Sequence, residues 1–151
     1  HDLMILDELI QLLKKDNKEI IIFDNTLEMT NQTGHKLNRS DAFVYKNKRL
    51  PNINELKKIE QNMFEDLNNT KDINLKIEEI AKRNGVNLIQ RKKIHCNFNN
   101  KRCPALTDDG YKIYFDYAHI TYKGAEFFAR RIEKNDLFLK YLNSTLDIPF
   151  N

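Results

Sequence analysis

Apolar residues recur along this chain at two different spacings, and the switches between them mark out its elements. Leu6, Leu9, Ile10 and Leu13 fall on one face at helical spacing. They predict an opening helix that ends near Lys14 and Lys15, where cations suit the negative end of the helix dipole. Asp16-Asn17-Lys18 turns the chain into Glu19–Phe23, whose unbroken Ile20-Ile21-Ile22-Phe23 run predicts a parallel strand buried on both faces. Asp24-Asn25 ends that strand. Residues 27–52 read as one long polar connection holding Gly34, His35 and Pro51, and loops of that length in compact domains usually serve function. A second helix follows from Ile53 through Leu56, Ile59, Met63, Phe64 and Leu67. A third is capped by Asp72, turns Ile73, Ile77, Ile80 and Ala81 inward, and stops at Gly85. Val86–Ile89 predicts a second strand, and Asp109-Gly110 a turn into a short strand over Tyr111–Phe115. Helical spacing returns at Ala125, Phe128, Ala129 and Ile132, and again at Leu137, Phe138, Tyr141 and Leu142. Strands separated by helices imply βα units and a parallel sheet, hence one α/β domain over residues 1–151.

Composition adds few constraints. At 151 residues, 40% hydrophobic and 31% charged, the chain matches an ordinary globular domain with a real core. No apolar run approaches the roughly 20 residues needed to span a bilayer. A net charge of +3 does not by itself imply a nucleic-acid partner. The charge is unevenly placed, however. Between Ala81 and Arg102 there is no acidic residue, while Lys82, Arg83, Arg91, Lys92, Lys93, Lys101 and Arg102 are basic. Such a stretch is either a solvated rim or a face for an anionic partner, whether phosphorylated glycan, nucleic acid or membrane surface. With Phe98 as its one aromatic, it lacks the interleaved rings that stack bases. Cys96 and Cys103 lie in the same polar, Asn-rich loop and suit a local disulfide, which implies an oxidising compartment. The alternatives are free thiols, or a metal site recruiting His95 or His119, although no Cys-x-x-Cys or His-x-x-x-His spacing supports zinc.

The densest chemistry lies in Asp116-Tyr-Ala-His-Ile-Thr-Tyr-Lys-Gly-Ala125. Positions three apart in a turn or incipient helix share a face. Asp116 is therefore expected to accept a hydrogen bond from His119 Nδ1, which fixes the tautomer and leaves Nε2 outward as a base. Thr121 is a suitable N-cap for the helix that follows, and Gly124 in its first turn would allow close approach to a neighbouring backbone. The bland alternative is that Asp116 caps the turn and His119 is solvated.

Cys96, Cys103-Pro104 and Tyr111-Lys-Ile-Tyr-Phe-Asp116-Tyr-Ala-His119-Ile-Thr-Tyr-Lys-Gly124-Ala resemble the final block of SGNH-type domains, closest to the version attached to acyltransferase-3 membrane proteins. The resemblance is strong from Cys96 to Ile132 and extends only in element order to Asp2–Gln90. It implies a three-layer, flavodoxin-like parallel-sheet α/β domain, with His119 as catalytic base and Asp116 as its orienting acid. It also implies a nucleophilic serine in a Gly-Asp-Ser block, followed by a glycine and an asparagine, and these blocks are missing here. Only Ser40, in a polar loop, and Ser144, near the C-terminus, are serines, and neither occupies a strand-to-helix turn. The expectation is a C-terminal portion of such a domain, whose first strand and serine block precede His1. On that footing the chain is inactive alone. Joined to its upstream portion, it is expected to serve O-acetyl transfer to a cell-surface glycan. It would lie on the periplasmic or extracellular face, with a membrane domain of the same protein supplying the acyl group. No cofactor, metal or nucleic-acid partner is expected. The alternatives are a free-standing SGNH esterase or lipase, and a non-catalytic glycan- or anion-binding domain.

Overall fold

The two strands expected on either side of the helical middle region pair directly with each other. In a computed structural model of the chain, which describes residues 2–29, 36–134, 136 and 138–140, β1 (Ile21–Phe23) runs parallel to β2 (Asn87–Ile89). Ile22 lies opposite Leu88, and Phe23 opposite Ile89. Side chains alternate across the pair. Ile22 and Leu88 enter a core with Ile10, Ile77, Ile80 and Ala81, which are supplied by α1 (Asp2–Lys15) and α4 (Lys71–Asn84). Ile21 and Ile89 enter a larger core on the other face. There they meet Ile59 and Met63 of α3 (Ile53–Glu65), Ile94 of α5 (Arg91–His95) and Phe128 of α6 (Tyr122–Ile132). Helices thus cover both faces of a parallel pair, the α/β arrangement expected, in a sheet of two strands among the described residues.

Several boundaries differ from the sequence expectation, each for a local reason. Residues 27–52 are not a continuous loop, because α2 (Arg39–Asn47) lies within them, capped by Asn38, whose Oδ1 accepts from the Asp41 N–H at 2.9 Å. No residue of α2 is fully buried, so its sequence shows little apolar periodicity. Half-buried Phe43 packs it against the larger core, and the Arg39 fork on Asp66 ties its start down, with Nη2 to Oδ1 at 2.6 Å. Asp72 does not cap α4. A 3₁₀ turn over Asp66–Thr70 joins α3 to α4 almost without interruption, so Asp72 falls in the first turn, where a carboxylate suits the dipole. α3 opens with a reciprocal capping box between Asn52 and Glu55, and Gly85 ends α4 in the left-handed conformation, as expected.

Tyr111–Phe115 is not a third strand. The chain reverses at Gly110 just before it and at Asp116–His119 just after it, which leaves room for single antiparallel bridges only, Leu106 with Lys112 and Tyr114 with Ile120. Part of the basic loop is the short helix α5. Of the last apolar face, Phe138 is half-buried against the larger core, whereas Leu137, Tyr141 and Leu142 lie outside the described residues, as do His35 and Ser144.

Candidate active site

Two reversals of the backbone build the turn that carries Asp116 and His119. The His119 carbonyl accepts from the Phe115 N–H at 2.8 Å, closing a loop over 115–119. Inside it, Asp116 Oδ1 accepts from the Ala118 and His119 N–H groups at 2.9 and 2.8 Å. The same carboxylate reaches the imidazole, with His119 Nδ1 at 2.8 Å from Oδ2 and 3.0 Å from Oδ1. The expected pairing is therefore present, and Asp116 also takes the capping role of the bland alternative. One carboxylate shapes the turn and orients the ring.

The electrostatics follow from those contacts. Burial pushes the Asp116 carboxyl up, but donation from Ala118 N–H, the His119 ring and His119 N–H outweighs it and holds the group at about 2. Asp116 is thus an anion across the neutral range. It favours the tautomer with a proton on Nδ1 and stabilises an imidazolium if Nε2 takes a second proton. The His119 side chain is 74% exposed against 22% for Asp116, so the ring presents its remaining nitrogen to solvent while its acid is shielded.

The helix behind the turn is fixed as the sequence predicts. Thr121 Oγ1 accepts from the Gly124 N–H at 2.9 Å and donates to the Lys112 carbonyl at 2.6 Å. A Cβ on Gly124 would sit 2.2 Å from the Ile113 carbonyl oxygen, so glycine is needed for α6 to lie against the 111–115 segment. Thr121 N–H donates to that same Ile113 oxygen at 2.8 Å.

Sequence reasoning did not single out Asn38. It is buried, and its Nδ2 donates to the Tyr114 and Phe115 carbonyls at 2.9 and 3.3 Å while its Oδ1 caps α2. It therefore ties the start of α2 to the two residues just before Asp116. The spacing Asn38-x-x-Asp41 is a legible cap signal, but the second partner lies 76 positions away. Met29 adds another tether, its N–H donating to the Tyr117 carbonyl at 2.9 Å.

Other candidate residues have structural roles. Asp24, which ends the first strand, is buried and accepts from the Arg91 N–H. Cys96 and Cys103 are disulfide-bonded, which removes both the free-thiol and the metal alternatives for them. His95 stacks on Phe128 with centroids 3.7 Å apart and hydrogen-bonds Thr26 Oγ1 at 2.8 Å. Burial, together with the Arg91 and Arg131 charges, lowers its pKa to about 3. No group of three or more His, Cys, Asp or Glu able to hold a metal occurs among the described residues, and no helix there is long and apolar enough to cross a membrane. Ser40 lies half-buried in the first turn of α2, and no hydrogen bond joins it to His119 among the described residues.

A family model described as "SGNH domain (fused to AT3 domains)" matches residues 3–134. Comparisons with curated proteins and with solved structures found no match.

Proposed function

Because the chain belongs to the family of SGNH domains fused to AT3 domains, we propose that Asp116 and His119 are the acid and base of a serine O-acyl-transfer site that modifies a cell-surface glycan. The observation that carries this reading is the His119 Nδ1 to Asp116 Oδ2 contact of 2.8 Å with the ring otherwise open to solvent. A base must meet its substrate from the exposed side and be oriented from the shielded side. In the proposed reaction a serine from another part of the intact protein attacks the acyl carbonyl while His119 Nε2 takes its proton. His119 returns that proton to the leaving group as the acyl-enzyme forms. It then takes a proton from a sugar hydroxyl as that oxygen attacks the acyl carbonyl, and returns the proton to the serine oxygen as the acyl–serine bond breaks. Water in place of the sugar makes the same steps an esterase. A membrane acyltransferase domain in the same protein is the proposed acyl source, and the family description supports that link. The disulfide supports an extracytoplasmic setting.

The test uses the intact protein. His119→Ala should abolish acyl turnover with unchanged thermal unfolding, and Asp116→Asn should reduce it by about 10³-fold or more through the wrong tautomer, with some loss of stability because the carboxylate also shapes the turn. Turnover retained in His119→Ala overturns the assignment.

A further inference from the structure

We propose that the surface around Phe98 is a second binding site, selective for an acidic glycan chain, at the opposite end of α6 from His119. Tertiary structure sorts the basic stretch of the sequence into two kinds of cation. Arg83 pairs with Asp7, Arg91 folds onto Asp24, and Arg102 pairs with Glu60, so these arginines hold the fold. Lys92, Lys93 and Lys101 make no ion pair among the described residues, and folding brings Lys71 and Lys134 beside them, equally unpaired. Two grooves, each of about 490 Å³, flank Phe98. Lys71, Lys92 and Lys101 line one, and Lys93 and Lys134 line the other together with Arg131. Among the described residues, Glu65 is the one carboxylate lining either groove. Such an imbalance in two adjoining concavities attracts a polymer carrying repeated carboxylates or phosphates.

The aromatic ring is preorganised. Phe98 sits at the tip of a loop closed by the Cys96–Cys103 disulfide and by paired hydrogen bonds between Asn97 and Arg102. Its ring stands edge-on to Phe64 with centroids 5.1 Å apart, and it remains 45% exposed. An aromatic face beside lysines suits the apolar C–H face of a sugar ring together with its acidic substituents. Phe98 lies back against Phe64 within concave surroundings, whereas a membrane anchor projects its apolar groups outward. A single ring also cannot stack successive bases.

Arg131 is ten residues along α6 from the Thr121 cap, which places this surface about 15 Å from the His119 turn along the helix axis. A chain of several sugar units is needed to span both, so the site would select polymers over single sugars. That the bound polymer is the acyl acceptor rests on the acyl-transfer reading, whereas its binding does not.

Binding of polygalacturonate to the intact protein is the measurement, with dextran as the neutral polymer. The triple substitution Lys92→Glu, Lys101→Glu, Lys134→Glu should weaken polygalacturonate binding by roughly tenfold or more at low salt, with the difference shrinking as salt screens the charges. Phe98→Ala, which changes no charge, should weaken it at every salt concentration. Equal binding of dextran, or wild-type affinity in both variants, overturns the proposal. So does tighter binding of oligo-dT or phosphatidylglycerol vesicles than of polygalacturonate. Because His119→Ala should bind polygalacturonate as wild type does, failure of the catalytic assignment and failure of this site are read in separate assays.

Discussion

At the scale of single residues, the two histidines among the described residues are held in opposite ways. His119 is exposed on a turn with an ionised partner, and His95 is buried between Phe128 and Thr26 with arginines nearby. Burial first, then the Arg91 and Arg131 charges, lowers His95 from 6.5 to about 3. The unfolded chain therefore binds a proton between those values that the folded chain refuses. That contribution to stability is complete above the unfolded value and falls as pH drops toward the folded one. Unfolding by urea should show a loss of about 2 kcal/mol between pH 7 and pH 5, a window above the carboxylate range. His95→Gln should flatten that slope, and an unchanged slope in the variant would show that His95 does not titrate this way. Asp116 has the same sign, displaced to lower pH. Its carboxyl is held at about 2, so its contribution is complete above 3.8 and is lost as pH falls from there toward 2. The Asp116-to-His119 pairing was legible in sequence because a spacing of three is local geometry. Asn38 was not, since its partners Tyr114 and Phe115 are brought to it only by folding.

Among the elements, α6 does most to position the candidate site. Its cap, its glycine and the inward Phe128 and Ile132 were readable, because capping and helical period depend on neighbours within four residues, whereas Ala125 and Ala129 of the expected face are exposed and Phe127 packs inward instead. Gly124→Ala isolates the tertiary part of that reading. Helix propensity alone would favour alanine by about 1 kcal/mol. Against this, the new Cβ meets the Ile113 carbonyl oxygen at 2.2 Å, and backbone cannot yield as a side-chain tip does. The expected net effect is destabilisation by about 1–3 kcal/mol in thermal unfolding, with reduced turnover because Thr121 hangs from the same oxygen. A variant as stable as wild type would contradict this close packing. α2 shows the converse. It carries an Asn cap but no fully buried residue, and it is held by one half-buried ring, Phe43, and an ion pair to Asp66, so apolar periodicity could not reveal it.

For the whole molecule, the two cores lie on opposite faces of β1 and β2, and α1 closes the smaller one with Ile10. The outward side of α1 is also apolar, with Met4, Ile5, Leu9 and Leu12 exposed on one face of the helix. An apolar stripe of that length favours association. Leu9→Glu with Leu12→Glu should reduce concentration-dependent association of this chain in sedimentation, with folding stability changed by no more than about 0.5 kcal/mol. Unaltered association would place the contact elsewhere. The sequence by itself determined where the main helices lie, both strands, the stop at Gly85 and the acid–base turn, because each depends on residues close along the chain, whereas Leu9 and Ile73, expected on the inward faces, are exposed. It also carried the family resemblance, through the block from Cys96 to Gly124. Only tertiary structure decided which basic residues hold the fold and which make no ion pair among the described residues around Phe98. It alone showed that Tyr111–Phe115 forms bridges instead of a strand, and that Asn38 holds the backbone ahead of Asp116. Those outcomes depend on contacts between distant segments, which no local period encodes.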